Sequence, residues 1–84
     1  MDITIKAIKF DATEKLQAFI EKKTAKLEKF FDEIDTVEVT LKVVKPETAM
    51  NKQADIKVVV KNESLFASKV CDTFEESVDQ CVDA

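Results

Sequence analysis

The sequence predicts an α+β domain, a four-stranded mixed sheet with two helices packed on one face, in the order β-α-β-β-β-α. Three observations carry that expectation. Four short segments alternate apolar and polar residues with the period of half-buried strands. Two longer segments repeat apolar residues at three and four positions, as helices do. The first helical segment lies between the first two strands, the connection that a right-handed parallel pairing needs.

Ile3, Ile5 and Ala7 alternate with Thr4 and Lys6, giving the first strand. Asp11-Ala12-Thr13-Glu14 then offers an Asp-x-x-Glu capping signal, and Leu16, Phe19, Ile20, Leu27, Phe30 and Phe31 place a helix over about 12–31. At about 100° per residue, Leu16, Ile20 and Leu27 centre the buried stripe and Phe19, Phe30 and Phe31 edge it. Val37, Val39, Leu41 and Val43 form a second strand, and Ala54, Ile56, Val58 and Val60 a third. The polar stretch 45–52, with the single proline at Pro46, has the length of a hairpin loop. Asn62-Glu63 makes a tighter turn, with Asn62 the residue suited to a left-handed backbone in a chain without glycine. A fourth strand follows over 65–70. Asp72-Thr73-Phe74-Glu75 then starts a second helix with Phe74, Val78, Cys81 and Val82 on one face. This helix meets no stop signal before Ala84 and is expected to be cut short there.

With 84 residues, 45% of them apolar, the chain builds one modest core, so 1–84 is expected to be a single domain. No apolar run reaches the roughly 20 residues that cross a bilayer and no signal peptide is visible, so a soluble cytoplasmic protein is expected. Cys71 and Cys81 are ten residues apart, roughly 15 Å along a helix, too far for a disulfide. Without histidine they make no ordinary zinc site, and two free thiols packed as small apolar residues suit a reducing compartment.

The net charge of −4 argues at first against a nucleic-acid partner. Its distribution argues otherwise: the last 13 residues hold Asp72, Glu75, Glu76, Asp79 and Asp83 with no cation, while residues 1–71 carry 13 lysines against 12 acids. On the first helix Lys15, Lys22, Lys26 and Lys29 cluster on one flank and Glu14, Glu21 and Glu28 on the other. Lys23 falls inside the apolar sector, from which its stem can snorkel. Such a ridge meets several phosphates at once, or equally well keeps a helix flank solvated. Only some two and a half heptads exist and Lys23 sits in the seam, which rules out a coiled coil. The uncovered sheet face, with Thr4, Lys6, Thr40, Lys42, Lys57 and Lys61, is expected to tilt toward positive charge.

Catalysis finds little material. No His, Tyr or Arg is present, neither cysteine has a base to activate it, and the absence of glycine excludes a phosphate-cradling loop. Glu75 and Asp79 stand one turn apart but read as an exposed face near a helix start. Without arginine, any nucleic-acid contact should follow shape and backbone rather than base sequence.

Lys22-Lys23-Thr24-Ala25-Lys26-Leu27-Glu28-Lys29-Phe30 resembles the first helix of the ribosome hibernation-promoting factors and ribosome-associated inhibitors, also called sigma-54 modulation proteins. Leu65-Phe66-Ala67 leading into Phe74-Glu75-Glu76-Ser77-Val78-Asp79 is similar too, with Ser77 where the family typically has alanine. So are Ile3-Thr4-Ile5 and Phe10-Asp11-Ala12-Thr13. The resemblance implies a non-enzymatic translation inhibitor, a single ribosome-binding domain that lies on small-subunit rRNA in the channel for messenger and transfer RNA during starvation or stationary phase. It implies no cofactor, metal, DNA, membrane or small-molecule substrate. Carried over by position, Lys22, Lys23, Lys26 and Lys29 match the family's basic first helix, and Lys69 a basic position near the fourth strand. Lys6, Lys42, Lys57 and Lys61 join them from the reading of the open sheet face. The family usually continues the second helix with several basic residues, and long members append a second domain that pairs ribosomes. A module that binds protein through its open sheet or an edge strand is the alternative.

Overall fold

The computed structural model describes residues 2–31, 33–44 and 50–83. It shows β1 (Asp2–Ala7), α1 (Glu14–Ala25) continued by a 3-10 turn (Lys26–Lys29), β2 (Ile34–Val43), β3 (Lys52–Val60), β4 (Glu63–Cys71) and α2 (Phe74–Asp83). The sheet order is β1-β2-β3-β4, with β1 parallel to β2 and the remaining pairs antiparallel. This is the predicted mixed four-stranded sheet and element order. Within the expected hairpin loop, positions 45–49 lie outside the described residues.

Alternation decides which face is covered. Ile5, Val39, Ile56 and Ala67 fall in one row across the four strands, with Ile3, Val37, Val58 and Leu65 beside them. The two central strands bury most: Val37, Val39, Leu41 and Ala54 are almost fully inaccessible, and Ile20 of α1 and Val78 of α2 complete the core. Because β1 and β4 both end at the Ala7–Leu41–Ala54–Lys69 side of the sheet, the helices that follow them run in the same direction.

Both capping residues differ from the expected aspartates. Thr13, not Asp11, caps α1, its hydroxyl accepting from Leu16 N–H at 3.1 Å. Thr73 does the same for α2 toward Glu76 N–H at 3.1 Å, and Asp72 instead accepts from Met50 N–H at 2.8 Å. In each case threonine is the residue immediately before the first helical one, where a side-chain oxygen reaches the third N–H onward. The α-helix also ends earlier than residue 31. Thr24 is buried, and its hydroxyl donates back to Ile20 C=O at 2.8 Å, an arrangement that bends a helix. Two residues later the chain tightens to 3-10, and Phe30, expected to edge the buried stripe, is 75% exposed.

Cys71 closes β4 while Cys81 lies in α2, so the helical spacing inferred between them does not apply; the chain turns between the two. Both are free and buried. Asn62 does take the left-handed backbone, at φ 71°, and the turn it makes includes Lys61, which therefore lies beyond the end of β3.

α2 is fastened to β3 by small side chains. Ser77 hydroxyl donates to Lys52 C=O at 2.6 Å, and the Cys81 thiol donates to Ala54 C=O at 3.3 Å. Phe10, before α1, stacks on Phe74 of α2 with centroids 5.1 Å apart. Truncating Leu41, fully buried in β2, should lower stability by roughly 2–5 kcal/mol as Leu41→Ala. Urea unfolding monitored by circular dichroism checks this; a change below about 1 kcal/mol would place Leu41 outside the core.

Candidate nucleic-acid interface

The basic flank of α1 survives the change of helix type, because of the geometry of that change. Lys15, Lys22 and Lys26 are spaced by seven and four residues, which keeps them within about 40° of arc at 100° per residue. From Lys26 to Lys29 the chain is 3-10, where residues three apart eclipse, so Lys29 stacks along Lys26. The ridge is then about 22 Å long, from eleven α residues and three 3-10 residues. All four lysines are exposed, and among the described residues none forms an ion pair. Glu14, Glu21 and Glu28 are exposed roughly 100° away.

Lys23 is placed differently. Its ammonium lies 2.7 Å from a carboxylate oxygen of Asp79 on α2, and 5.6 Å from the centre of the Phe19 ring. The hydrogen bond to Asp79 is the main cause raising the Lys23 pKa above its ordinary value, and the same bond holds Asp79 below its usual range, helped by the Lys23 and Lys26 charges. Lys23 therefore joins the two helices. Lys26 remains exposed, yet it borders the same acidic side of α2, across a shallow cleft shared with Phe30, Val82 and Asp83.

The other candidates are dispersed. Lys6, Lys42 and Lys57 do lie on the open sheet face, but Asp2, Glu38 and Asp55 share it. Glu38 stands directly opposite Lys57, and Asp55 accepts from Ser68 and Gln53 side chains two strands from Lys6. The expected positive tilt of this face is thus absent, since the alternation that selects its lysines selects as many acids. Lys61 sits in the β3–β4 turn beside Phe30, Phe31 and Glu33, away from the sheet face. Lys69 is opposite Ala54, on the side of the sheet that the helices cover, and its charge acts on Cys81. The Lys23–Asp79 bridge had no sequence signal beyond the position of Lys23 in the apolar sector, because its partner lies 56 residues away.

Among the described residues, no three Cys, Asp or Glu side chains converge to hold a metal ion. Among them, too, no helix is long and apolar enough to cross a membrane. Burial pushes the Cys81 thiol up to about 11, with the Asp55 charge adding to it, which leaves little thiolate near neutrality.

The model of the family described as sigma 54 modulation protein / S30EA ribosomal protein matches residues 3–84. The chain belongs to that family. A comparison with curated protein sequences found no match. Among solved structures, a ribosomal subunit interface protein from Coxiella burnetii is similar with a TM-score of 0.87 and 22% identity, over 99% of this chain and 87% of that one. The N-terminal domain of Thermus thermophilus Protein Y is similar at 0.83 and 20% identity, over 99% and 89%. At such low identity these two establish the shared fold; family membership rests on the near full-length match.

Two outcomes follow from this geometry. Asp79→Asn should lower the melting temperature at pH 7, and the difference from wild type should vanish as acid protonates Asp79 below its ordinary 3.8. The sign follows from a depressed folded-state pKa, whose contribution is present above 3.8 and disappears as pH falls through the folded value. Melting curves from pH 7 to pH 2 read it, and a difference that persists unchanged at pH 2 refutes the bridge. Secondly, both thiols should resist a disulfide reagent at pH 8 until denaturant is added. Rapid labelling of the native protein would show that they are open.

Proposed function

We propose that this protein is a ribosome-associated translation inhibitor of the cytoplasm, a single ribosome-binding domain that occupies the small subunit's channel for messenger and transfer RNA in starvation or stationary phase. The family match over residues 3–84 carries the reading. The Coxiella burnetii neighbour, a ribosomal subunit interface protein, points the same way.

The mechanism we propose requires occupancy and no reaction. Lys22, Lys26 and Lys29, with Lys15 two turns further along the same flank, would lie along an rRNA backbone as a row of exposed ammonium groups. Each phosphate neutralised releases condensed counterions, so affinity should come with a steep salt dependence and little base preference. Lysine suits this role as a compact point charge, while the lack of arginine leaves no bidentate reader of guanine. Lys23 would contribute indirectly, by holding α1 against α2 through Asp79. Lys6, Lys42, Lys57, Lys61 and Lys69 would act as secondary contacts, each set among acids or away from the ridge. The acidic tail works against binding less than its composition implies, since the charge of Asp79 is compensated by Lys23.

Sedimentation with purified small subunits tests the proposal. For three to four neutralised phosphates, raising salt from about 50 to 200 mM should weaken binding roughly 20- to 150-fold. The triple variant Lys22→Glu, Lys26→Glu, Lys29→Glu should bind far more weakly, with a log–log salt slope shallower by about three. Binding that ignores salt, or survives the triple reversal, would sink the reading. Capture of a nuclease-resistant protein partner by both wild type and triple variant would favour a protein-docking module instead.

A further inference from the structure

We propose that β4 is a homodimerisation edge, along which a second copy of this chain adds antiparallel with Phe66 on the two-fold axis. β4 is an outer strand of the sheet, nine residues long, and pairs with β3 without a bulge from Glu63 to Cys71. Among the described residues, no backbone group outside the sheet bonds to it. Exposed edges of this kind are ordinarily blunted by proline, bulges or charge, since their free N–H and C=O groups invite another strand. β4 has neither proline nor bulge, its charges are confined to Glu63 and Lys69, and it displays Phe66 at 69% and Val70 at 40% exposure.

Symmetry and charge then select the register. A two-fold axis perpendicular to the sheet sets an edge strand antiparallel to its copy and keeps all helices on one side. Directly opposed residues must share a face, so the axis passes through a residue. With the axis at Phe66, Glu63 of each copy faces Lys69 of the other, Ser64 faces Ser68, Leu65 faces Ala67, and Phe66 faces itself. Opposite charges therefore meet twice, and an aromatic pair forms at the centre. Moving the axis to Ala67 sets Glu63 against Cys71 and Lys69 against Leu65; moving it to Leu65 sets Lys61 against Lys69. The Phe66 register is the one of these three in which the charges complement each other.

The side chains stand where the register needs them. The β3 pairing puts Glu63, Leu65, Ala67 and Lys69 on the helix-covered side and Ser64, Phe66 and Ser68 on the open side, the same division that the dimer would continue. Glu63, Phe66 and Lys69 are all exposed, and among the described residues neither charged one has an ion-pair partner within the chain. The result would be one eight-stranded sheet with four helices on one face, joined over positions 63–69, roughly 23 Å of strand. Such β-augmentation draws most of its affinity from main-chain hydrogen bonds and its register from side chains.

Sedimentation equilibrium of the purified chain, without ribosomes, tests this independently of the proposed function. With rising protein concentration the mean mass should climb from 9.5 kDa toward twice that value. Glu63→Lys or Lys69→Glu alone should weaken association roughly 2- to 30-fold through the two symmetric pairs. The double exchange, Glu63→Lys with Lys69→Glu, should restore it, since only residues facing each other across the axis can be swapped in this way. Phe66→Lys, which sets two ammonium groups on the axis, should leave a monomer, with circular dichroism confirming its fold. A mass of 9.5 kDa at every concentration overturns the proposal, and so does a double exchange no better than the single ones or a dimer that tolerates Phe66→Lys.

Discussion

The burial of one sheet face, and one only, is the constraint from which the rest of this structure follows. Val37, Val39 and Leu41 of β2 and Ala54, Ile56 and Val58 of β3 all turn to the same side, and the apolar stripes of α1 and α2 close over them. A helix that buries Ile20 and Leu27 has no choice about where Lys15, Lys22, Lys26 and Lys29 point. The hydrophobic stripe therefore orients the basic ridge, although no lysine of the ridge takes part in the core.

The acidic C-terminal segment is largely structural in the same sense. Asp72 satisfies the Met50 amide, Glu75 and Glu76 occupy the first turn of α2 where negative charge is favoured, and Asp79 holds Lys23. This gives a physical account of how a chain of net charge −4 presents a cationic row: several acids of the C-terminal segment are held at a helix start or in one interhelical bridge, while the four lysines of the ridge are exposed and, among the described residues, form no ion pair. Membership of a ribosome-associated protein family and a negative total charge are compatible on these terms.

Ser77 shows how a departure from a family's usual residue can be absorbed. Where the resemblance leads one to expect alanine, the buried hydroxyl reaches the Lys52 carbonyl, and Cys81 one turn later reaches Ala54. Small polar side chains that donate to carbonyls of β3 satisfy their own polarity while letting the helix lie close to the sheet. The same closeness removes water from Cys81 and makes it a poor nucleophile.

The amino-acid order by itself determined the element sequence and the covered face, because both depend on local periodicities of two or 3.6 residues, and the sheet pairing, because the helical or short connections between strands set its direction. Asn62 could be assigned its left-handed turn for a similar reason, in a chain with no glycine to take it. The helix caps were misplaced because an aspartate and a threonine stand close together at both helix starts, Asp11 with Thr13 and Asp72 with Thr73, and only the backbone decides which oxygen meets an N–H. What tertiary structure alone decided was which charges meet. Lys23 is matched with Asp79, and Glu38 with Lys57, by the docking of elements distant along the chain. Periodicity assigns a lysine to a face, whereas its electrostatic surroundings depend on which acids the packed neighbours bring to that face.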